Sequence, residues 1–462
     1  MGERLKACII GAGSSGLAVA KTLKQNGIAY DCFEKSDCLG GNWVFKNKNG
    51  MSSAYRSLHI NTSRDKMGFS DFPLPADYPD YPHHEQIARY FKAYADHFGV
   101  TPTITFKTAV THAAPANDGR WTVKLDNGEA RSYDALFVCN GHHWDPRWPE
   151  PPYPGRFDGA QFHAHHYIDE TEPVDLRGKN VLIVGFGNSA LDIACEIGRK
   201  TVARRCFMSL RRGYWVLPRY FGAKVLDHLN PHPAQDPPLW RRLLPKGVMA
   251  WALQKQIERI SGRPEDHGLP PPEPIFATHP AISHDIYNRI GSGDVEIRKG
   301  IARFHGHEVE FVDGGREDID AIIWCTGYKI SFPFFDRDFL AAEDNDIALW
   351  QRIWDPRYPN LFFIGLVQPL CAIMPIAEQQ AIVAAAYLKG EYALPPAQVM
   401  EHERRVMHAR AKAGYVATPR HTIQIDCTEY AMALRRELKR GRKRAQRLRK
   451  GLVKDAAMAG AA

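Results

Sequence analysis

The stretch "NVLIVGFGNSALDIACEI", residues 180–197, decides the fold. Four branched aliphatic residues run up to Gly185, a glycine turn follows, and apolar positions then recur at helical spacing. Strand, glycines and helix in that order put free backbone N–H groups and a helix N-terminus where a phosphate can lie. The chain begins on the same pattern. "ACIIGAGSSGLAVAKTL", residues 7–23, carries Gly11, Gly13 and Gly16 in GxGxxG spacing, with Ser14 and Ser15 at the helix start. The first glycine permits the tight turn, the second lets backbone approach a pyrophosphate, and the third lets helix pack on strand. In the second turn Gly185 and Gly187 keep the two positions where backbone must be small. Ala190 replaces the packing glycine, where a methyl group can be tolerated, and Asn188 and Ser189 stand beside the expected phosphate. Two such grips predict an α/β fold built from two Rossmann-like dinucleotide-binding domains.

The residues around each turn separate the two ligands. Glu34 ends the next strand, 23 residues after Gly11, where a carboxylate can accept from ribose hydroxyls. "CLGGNW" at 38–43 then places Gly40 and Gly41 beside Asn42 and Trp43. Adjacent glycines let backbone lie close to a flat ring that the tryptophan can wall, which points to FAD. The strand after the second turn ends not in an acid but in "SLRR": Arg211, 26 residues after Gly185, and Arg212 stand where a 2′-phosphate needs a cation. That predicts NADP; the alternative is a solvated pair of surface arginines.

Around these anchors, a βαβ start is followed near 104–140 by short alternating strands, which read as a small antiparallel meander. From Val181 the βα pattern resumes. Residues 217–280 hold twelve prolines and one clear helical stretch, "VMAWALQKQIERI", so they read as an irregular insertion. The expected layout is an FAD domain over 1–170, an NADP domain over 171–320 inserted into it, a return to the FAD domain over 321–430, and a tail over 431–462. The formal net charge of +8 resides in that tail: "RRELKRGRKRAQRLRKGLVKD", 435–455, carries eleven Lys and Arg against Glu437 and Asp455. Such mutual repulsion predicts a frayed helix, dispensable for chemistry and in weak contact with anionic surfaces. The nine cysteines show no CxxC pair and several lie in apolar strand patterns, so buried free thiols in a reducing compartment are expected. The polar start "MGERLK" and the absence of a long apolar run predict a cytoplasmic protein.

Between the turns lies "FDGAQFHAHHY", with Phe157, Gly159, His163 and Tyr167 in FxGxxxHxxxY spacing. The histidines there have no supporting carboxylate or cysteine spacing, so no metal is expected. Together with "LHINTSRDKMGFSDFP", "CTGY" at 325–328, "NLFFIGLVQP", "IAEQQA", "EDHGLPPP" and "RHTIQID", this signature resembles that of the flavin-containing monooxygenases, class B flavoprotein monooxygenases, from about Gly11 to Asp426. Tyr167-Ile168 in place of tryptophan followed by proline or aspartate makes it similar to the heteroatom-oxygenating branch, although members usually have a basic residue at 168. The resemblance implies that NADPH reduces FAD, that oxygen forms a C4a-hydroperoxyflavin, and that a soft amine nitrogen or sulfur takes the distal oxygen to give an N-oxide or S-oxide. It assigns Asn61 to the reacting centre and to NADP, His59 to NADP, and Thr62 and Thr326 to FAD. The protein then supplies orientation and exclusion of water, and no acid–base constellation is required.

Two enzymatic rivals are Baeyer–Villiger oxidation of ketones and flavin disulfide reduction, the latter lacking a CxxC relay. A degenerate flavin fold that binds anionic surfaces through its tail is the rival from another class. A homodimer is the expected assembly.

Overall fold

The computed structural model describes residues 5–229, 231–275, 277–414 and 422–459. Two five-stranded parallel sheets organise it. In the first, β1 (Lys6–Ile10) lies centrally, with β2 (Ala29–Phe33) and β3 (Ile104–Thr105) on one side and β4 (Ala135–Val138) and the strand Leu361–Phe363 on the other. In the second, β5 (Ala160–His163), the strand Ala321–Trp324, β6 (Asn180–Val184), β7 (Arg205–Leu210) and β8 (Glu296–Lys299) lie in that order. Each glycine turn leaves the C-terminal end of its sheet's central strand, where neighbours on either side open a crevice.

The central strands of both sheets are covered on both faces, which is why β1, β4, β6 and Ala321–Trp324 read as nearly unbroken apolar runs. Along β1, Ala7 and Ile9 enter a core with α1 (Ser14–Gln25) and the helix His84–His97. Cys8 and Ile10 enter another, against the antiparallel meander whose Trp121 is fully buried. Along β6, Val181 and Ile183 pack toward α2 (Asn188–Ile197). Leu182 and Val184 pack against Phe157, Phe304 and Phe311.

Three expectations need correction. The chain joins the second sheet earlier and leaves it later than 171–320, because β5 pairs with Ala321–Trp324 from Ala160↔Ala321 to His163↔Trp324. The sequence places these strands beside loops of the first domain; hydrogen bonding assigns them to the second sheet. Seven cysteines are free, but Cys371 and Cys427 form a disulfide, 56 residues apart with Cα atoms 6.2 Å from each other. The two are brought together by a short parallel pairing, Gln368–Pro369 against Gln424–Ile425, that spacing alone cannot reveal. Finally, the tail is no frayed appendage. From Cys427 it forms one helix, α4 (Cys427–Ala459), docked along α3 (Met374–Leu388). Ala431, Leu434, Glu437, Gly441 and Ala445 are buried on one stripe, Tyr392 donates to Glu437 at 3.1 Å, and Arg444 pairs with the same carboxylate. Among the described residues, no helix is long and apolar enough to cross a membrane.

Gly441 lies flat on Tyr392: a Cβ there would fall 2.0 Å from the ring carbons Cδ2 and Cε2. On a solvated helix Gly→Ala stabilises by about 1 kcal/mol. Here overpacking reverses the sign, so Gly441→Ala should lower stability by about 1–3 kcal/mol. Thermal unfolding checks this; a raised Tm would mean that the helix does not dock.

Candidate active site between two nucleotide cradles

The first cradle is made of backbone. Gly11 has φ +98°, and a Cβ there would meet the Cys139 carbonyl oxygen at 2.8 Å; a Cβ on Gly16 would fall 1.9 Å from the Gly11 oxygen. Gly13 faces Gly41, whose added Cβ would come within 3.1 Å of the Gly13 Cα, so two glycine stretches line a slot walled by backbone and tight for any side chain on Gly41. Gly40 fastens this second stretch by donating to the Ala12 carbonyl at 3.0 Å. Helix α1 begins at Gly13 with no capping side chain and no acid in its first turn, where Ser14 and Ser15 stand. Its N–H groups stay available to a pyrophosphate.

Glu34 closes the cradle. Its carboxylate accepts from Ala12 N at 2.7 Å and from Ser36 N at 2.8 Å, and burial still pushes its pKa up. A carboxylate so held keeps lone pairs for a ribose. Gly41, Asn42 and Trp43 form a 3-10 turn, and Asn42 Oδ1 accepts from Ser53 N and Oγ at 2.8 and 3.0 Å.

The second cradle repeats the plan. Gly185 has φ +123°, with the Cys325 carbonyl oxygen 2.5 Å from where a Cβ would stand, and α2 starts at Gly187 without a capping side chain or first-turn acid. Ala190 is fully buried, so here strand and helix leave room for one methyl. Ser189 occupies the first turn, while Asn188 spends its side-chain oxygen on Ile282 N at 2.9 Å and keeps only its amide N–H groups for a phosphate. Arg211, exposed beyond the end of β7, and Arg212, 6.0 Å over the Tyr214 ring, have no carboxylate partner among the described residues. Both cations can meet an added anion.

The FxGxxxHxxxY residues serve packing at the crossing between the sheets. Phe157 belongs to the second unit's core, and a Cβ on Gly159 would strike the Asp320 oxygen and the Phe157 ring, each at 2.6 Å. His163 accepts from His165 N at 3.0 Å, and burial lowers its pKa to about 4, so it is neutral. Tyr167 is fully buried against Tyr55. Thr326 stands at the same crossing, its hydroxyl donating to the Arg147 carbonyl.

The segment 42–63 joins the two cradles. It leaves Asn42 in the first; Tyr55 then donates to Asp192 at 2.5 Å and Ser57 to Glu196 at 2.6 Å, both acids on α2. His59 holds its Nδ1 at 2.8 Å from the Ser57 carbonyl and is kept below its ordinary pKa by burial. Asn61 and Thr62 follow, both half-buried, and Asn61 Oδ1 accepts from Arg219 Nη2 at 3.4 Å. Sequence reasoning missed Tyr55, Asp192 and Arg219. The first pair lies 137 residues apart, and Arg219 falls in the proline-rich insertion outside any motif.

Two uncapped helix N-termini on parallel sheets, one cradle ringed by glycines and an acid and the other followed by arginines, define a two-nucleotide flavoprotein. The family model "Flavin-binding monooxygenase-like" matches residues 4–443, and the chain belongs to the flavin-containing monooxygenase family. It is 36% identical over 441 residues to "Flavin-containing monooxygenase 5" of Oryctolagus cuniculus, covering 92% of this chain and 81% of that one. It is also 36% identical over 409 residues to "Dimethylaniline monooxygenase [N-oxide-forming] 2" of Rattus norvegicus, covering 86% and 75%. Among solved structures, S-allyl-L-cysteine S-oxygenase from Allium sativum superposes with a TM-score of 0.69 at 24% identity over 96% of this chain and 93% of that one. Cyclohexanone monooxygenase superposes with a TM-score of 0.70 at 18% identity over 95% and 98%. The protein is an FAD-dependent monooxygenase that uses NADPH, and the glycine slot and uncapped helices fit both groups.

Gly16→Ala should abolish FAD retention, because its methyl overlaps a backbone oxygen that cannot move. Ala190→Gly should cost only about 1 kcal/mol of helix stability and leave the KM for NADPH nearly unchanged. Flavin absorbance of the purified variants and steady-state kinetics read both. Arg211→Ala should raise the KM for NADPH about ten- to a hundredfold, from a charge-assisted contact of about 1.5–3 kcal/mol. The KM for NADH should barely move; equal effects on both would remove the 2′-phosphate assignment.

Proposed function

We propose that this enzyme transfers one oxygen atom from molecular oxygen to a soft nucleophilic nitrogen or sulfur in a small molecule, giving an N-oxide or S-oxide. The supporting observation is the course of residues 42–63, which run from the flavin cradle at Asn42 to the NADP-side helix at Asp192 and Glu196 and end on Asn61. Bound FAD supplies the oxygen chemistry, with NADPH as its electron source. One oxygen atom goes to the substrate; the other leaves as water with the hydride of NADPH and a proton.

The chain's own residues bind and orient. The glycine slot and Glu34 fix one nucleotide, and Gly185, Gly187 and the arginines Arg211 and Arg212 fix the other. Asn61 can donate and accept at once, which suits a place between flavin, nicotinamide and incoming oxygen. Burial lowers the pKa of both His59 and His163, His163 to about 4, which disfavours a competing cation there. The reading needs no protein nucleophile. On the outer face of α4, exposed Arg436, Lys439, Arg440, Arg442 and Lys443 support weak, salt-sensitive contact with anionic surfaces.

NADPH oxidation measured with a tertiary amine, a thioether and a cyclic ketone, products identified, tests the reaction. N-oxide and S-oxide should dominate; an ester as main product would replace this reading with ketone oxidation. Asn61→Leu keeps similar volume and removes both hydrogen-bonding functions. It should still bind FAD and consume NADPH while oxygenated product falls about ten- to a hundredfold and hydrogen peroxide rises. Wild-type amounts of product would make Asn61 a packing residue.

A further inference from the structure

The insertion sends a small hairpin over the loop that carries Asn61. Tyr220–Phe221 pairs with Lys224–Val225, and a 3-10 turn, Leu226–Leu229, follows. Four consecutive contacts tie this hairpin to the loop and to the segment beneath it. Arg219 Nη2 donates to Asn61 Oδ1 at 3.4 Å; Ser63 N donates to Asp227 Oδ2 at 2.6 Å. His228 Nε2 lies 3.2 Å from Asp65 Oδ2, and the Tyr220 hydroxyl donates to Asp80 at 3.1 Å. Arg219 is itself fixed. Its guanidinium lies 5.0 Å over the Tyr81 ring, and its carbonyl accepts from the Tyr81 hydroxyl at 2.7 Å.

A guanidinium is a donor only. The side-chain atom of Asn61 that faces Arg219 must therefore be the oxygen, and the amide N–H groups must point away from it. An asparagine alone in a polar cleft has two amide orientations of similar energy; a neighbouring cation leaves one. Asp227, from the turn that follows the same hairpin, adds a second tie by holding Ser63 N, two residues on.

Resting on the assignment of Asn61 to the reacting centre, we propose that Arg219 is a positioning residue. It acts through Asn61 by fixing the orientation of the amide, and Asp227 holds the loop in the register that makes this contact. The insertion thereby takes part in the reaction although none of its residues need touch the reacting atoms.

A double-mutant cycle on the full-length, FAD-loaded enzyme tests this, reading oxygenated product against hydrogen peroxide per NADPH consumed. Arg219→Gln, whose amide can donate or accept, should lower the product fraction about tenfold, the worth of a hydrogen bond to a charged group. Arg219→Lys, which keeps a donor and a charge, should retain most of it. Asp227→Ala should show the same diversion to peroxide in milder form, with FAD content unchanged. In the Asn61→Leu background, Arg219→Gln should change the product fraction no further. Additive losses, or a rise in the KM for NADPH of equal size in both backgrounds, would show that Arg219 acts directly on a nucleotide and would overturn the proposal. A normal product fraction in Arg219→Gln alongside a damaged Asn61→Leu would overturn it while leaving the Asn61 assignment standing. A harmless Asn61→Leu would remove that assignment and this proposal with it. If Arg219→Gln does not retain FAD, Asp227→Ala carries the same comparison in both backgrounds.

Discussion

The carbonyl oxygen of Gly11 lies 1.9 Å from where any side chain on Gly16 would begin. That approach governs the first unit. It brings α1 down on the end of β1, so the N–H groups of the first helical turn lie at the mouth of the crevice rather than above it. It also brings Gly13 against Gly41 and leaves a slot walled by backbone on both sides. A pyrophosphate can be held there by dipoles and N–H groups already in place, with no side chain to reorganise. The second unit keeps the left-handed turn at Gly185 but relaxes the helix contact by one methyl at Ala190.

Two such units would be independent without something between them. The link is polar and partly buried: Tyr55 to Asp192 and Ser57 to Glu196, with Arg56 paired to Asp169 at 2.9 Å close by. Burial pushes the pKa values of Asp192 and Glu196 up, so the environment resists their charge and makes the Tyr55 and Ser57 hydroxyls necessary partners. Removing one partner of the part-buried Tyr55–Asp192 pair leaves the other without its hydrogen bond, which costs more than the pair contributes net. Links of this kind add little stability, yet they tolerate few alternative arrangements. The consequence for Asn61 is that its loop is anchored to α2 a few residues upstream.

What was legible in the sequence was local. Gly11, Gly13, Gly16, Gly185 and Gly187 announce themselves because strand, turn and helix follow within a dozen residues, and Glu34 because it ends the adjacent strand. The arginines after β7 follow the same logic. What was illegible joins distant segments: Tyr55 with Asp192, Asn61 with Arg219, Cys371 with Cys427. Each depends on a fold that must exist before the contact does. The strand Ala321–Trp324 lies in the second unit because its hydrogen-bonded neighbours, not its composition, decide where it belongs. The tail's charge density masks a second pattern: Tyr430, Leu434, Leu438, Gly441 and Ala445 recur at intervals of three and four, the spacing of a docked helix face.

The titratable groups near Asn61 are committed to contacts of the loop itself: Asp227 accepts from Ser63 N, His228 lies against Asp65, and Asp80 accepts from Tyr220. A flavin that activates oxygen asks its protein to exclude water and hold geometry, not to shuttle protons through a triad. The histidines that invite a catalytic or metal reading are committed elsewhere: His163 caps a turn, His165 faces the Gly50 carbonyl at 2.9 Å, and His59 faces its own loop. The strongest fixed charge beside Asn61 is Arg219, and a guanidinium does not change protonation in the working range. A permanent cation is suited to holding an amide in one orientation through a cycle in which electrons and protons come and go around it. A histidine in the same place could either donate or accept once neutral, and would no longer dictate which end of the amide faces it.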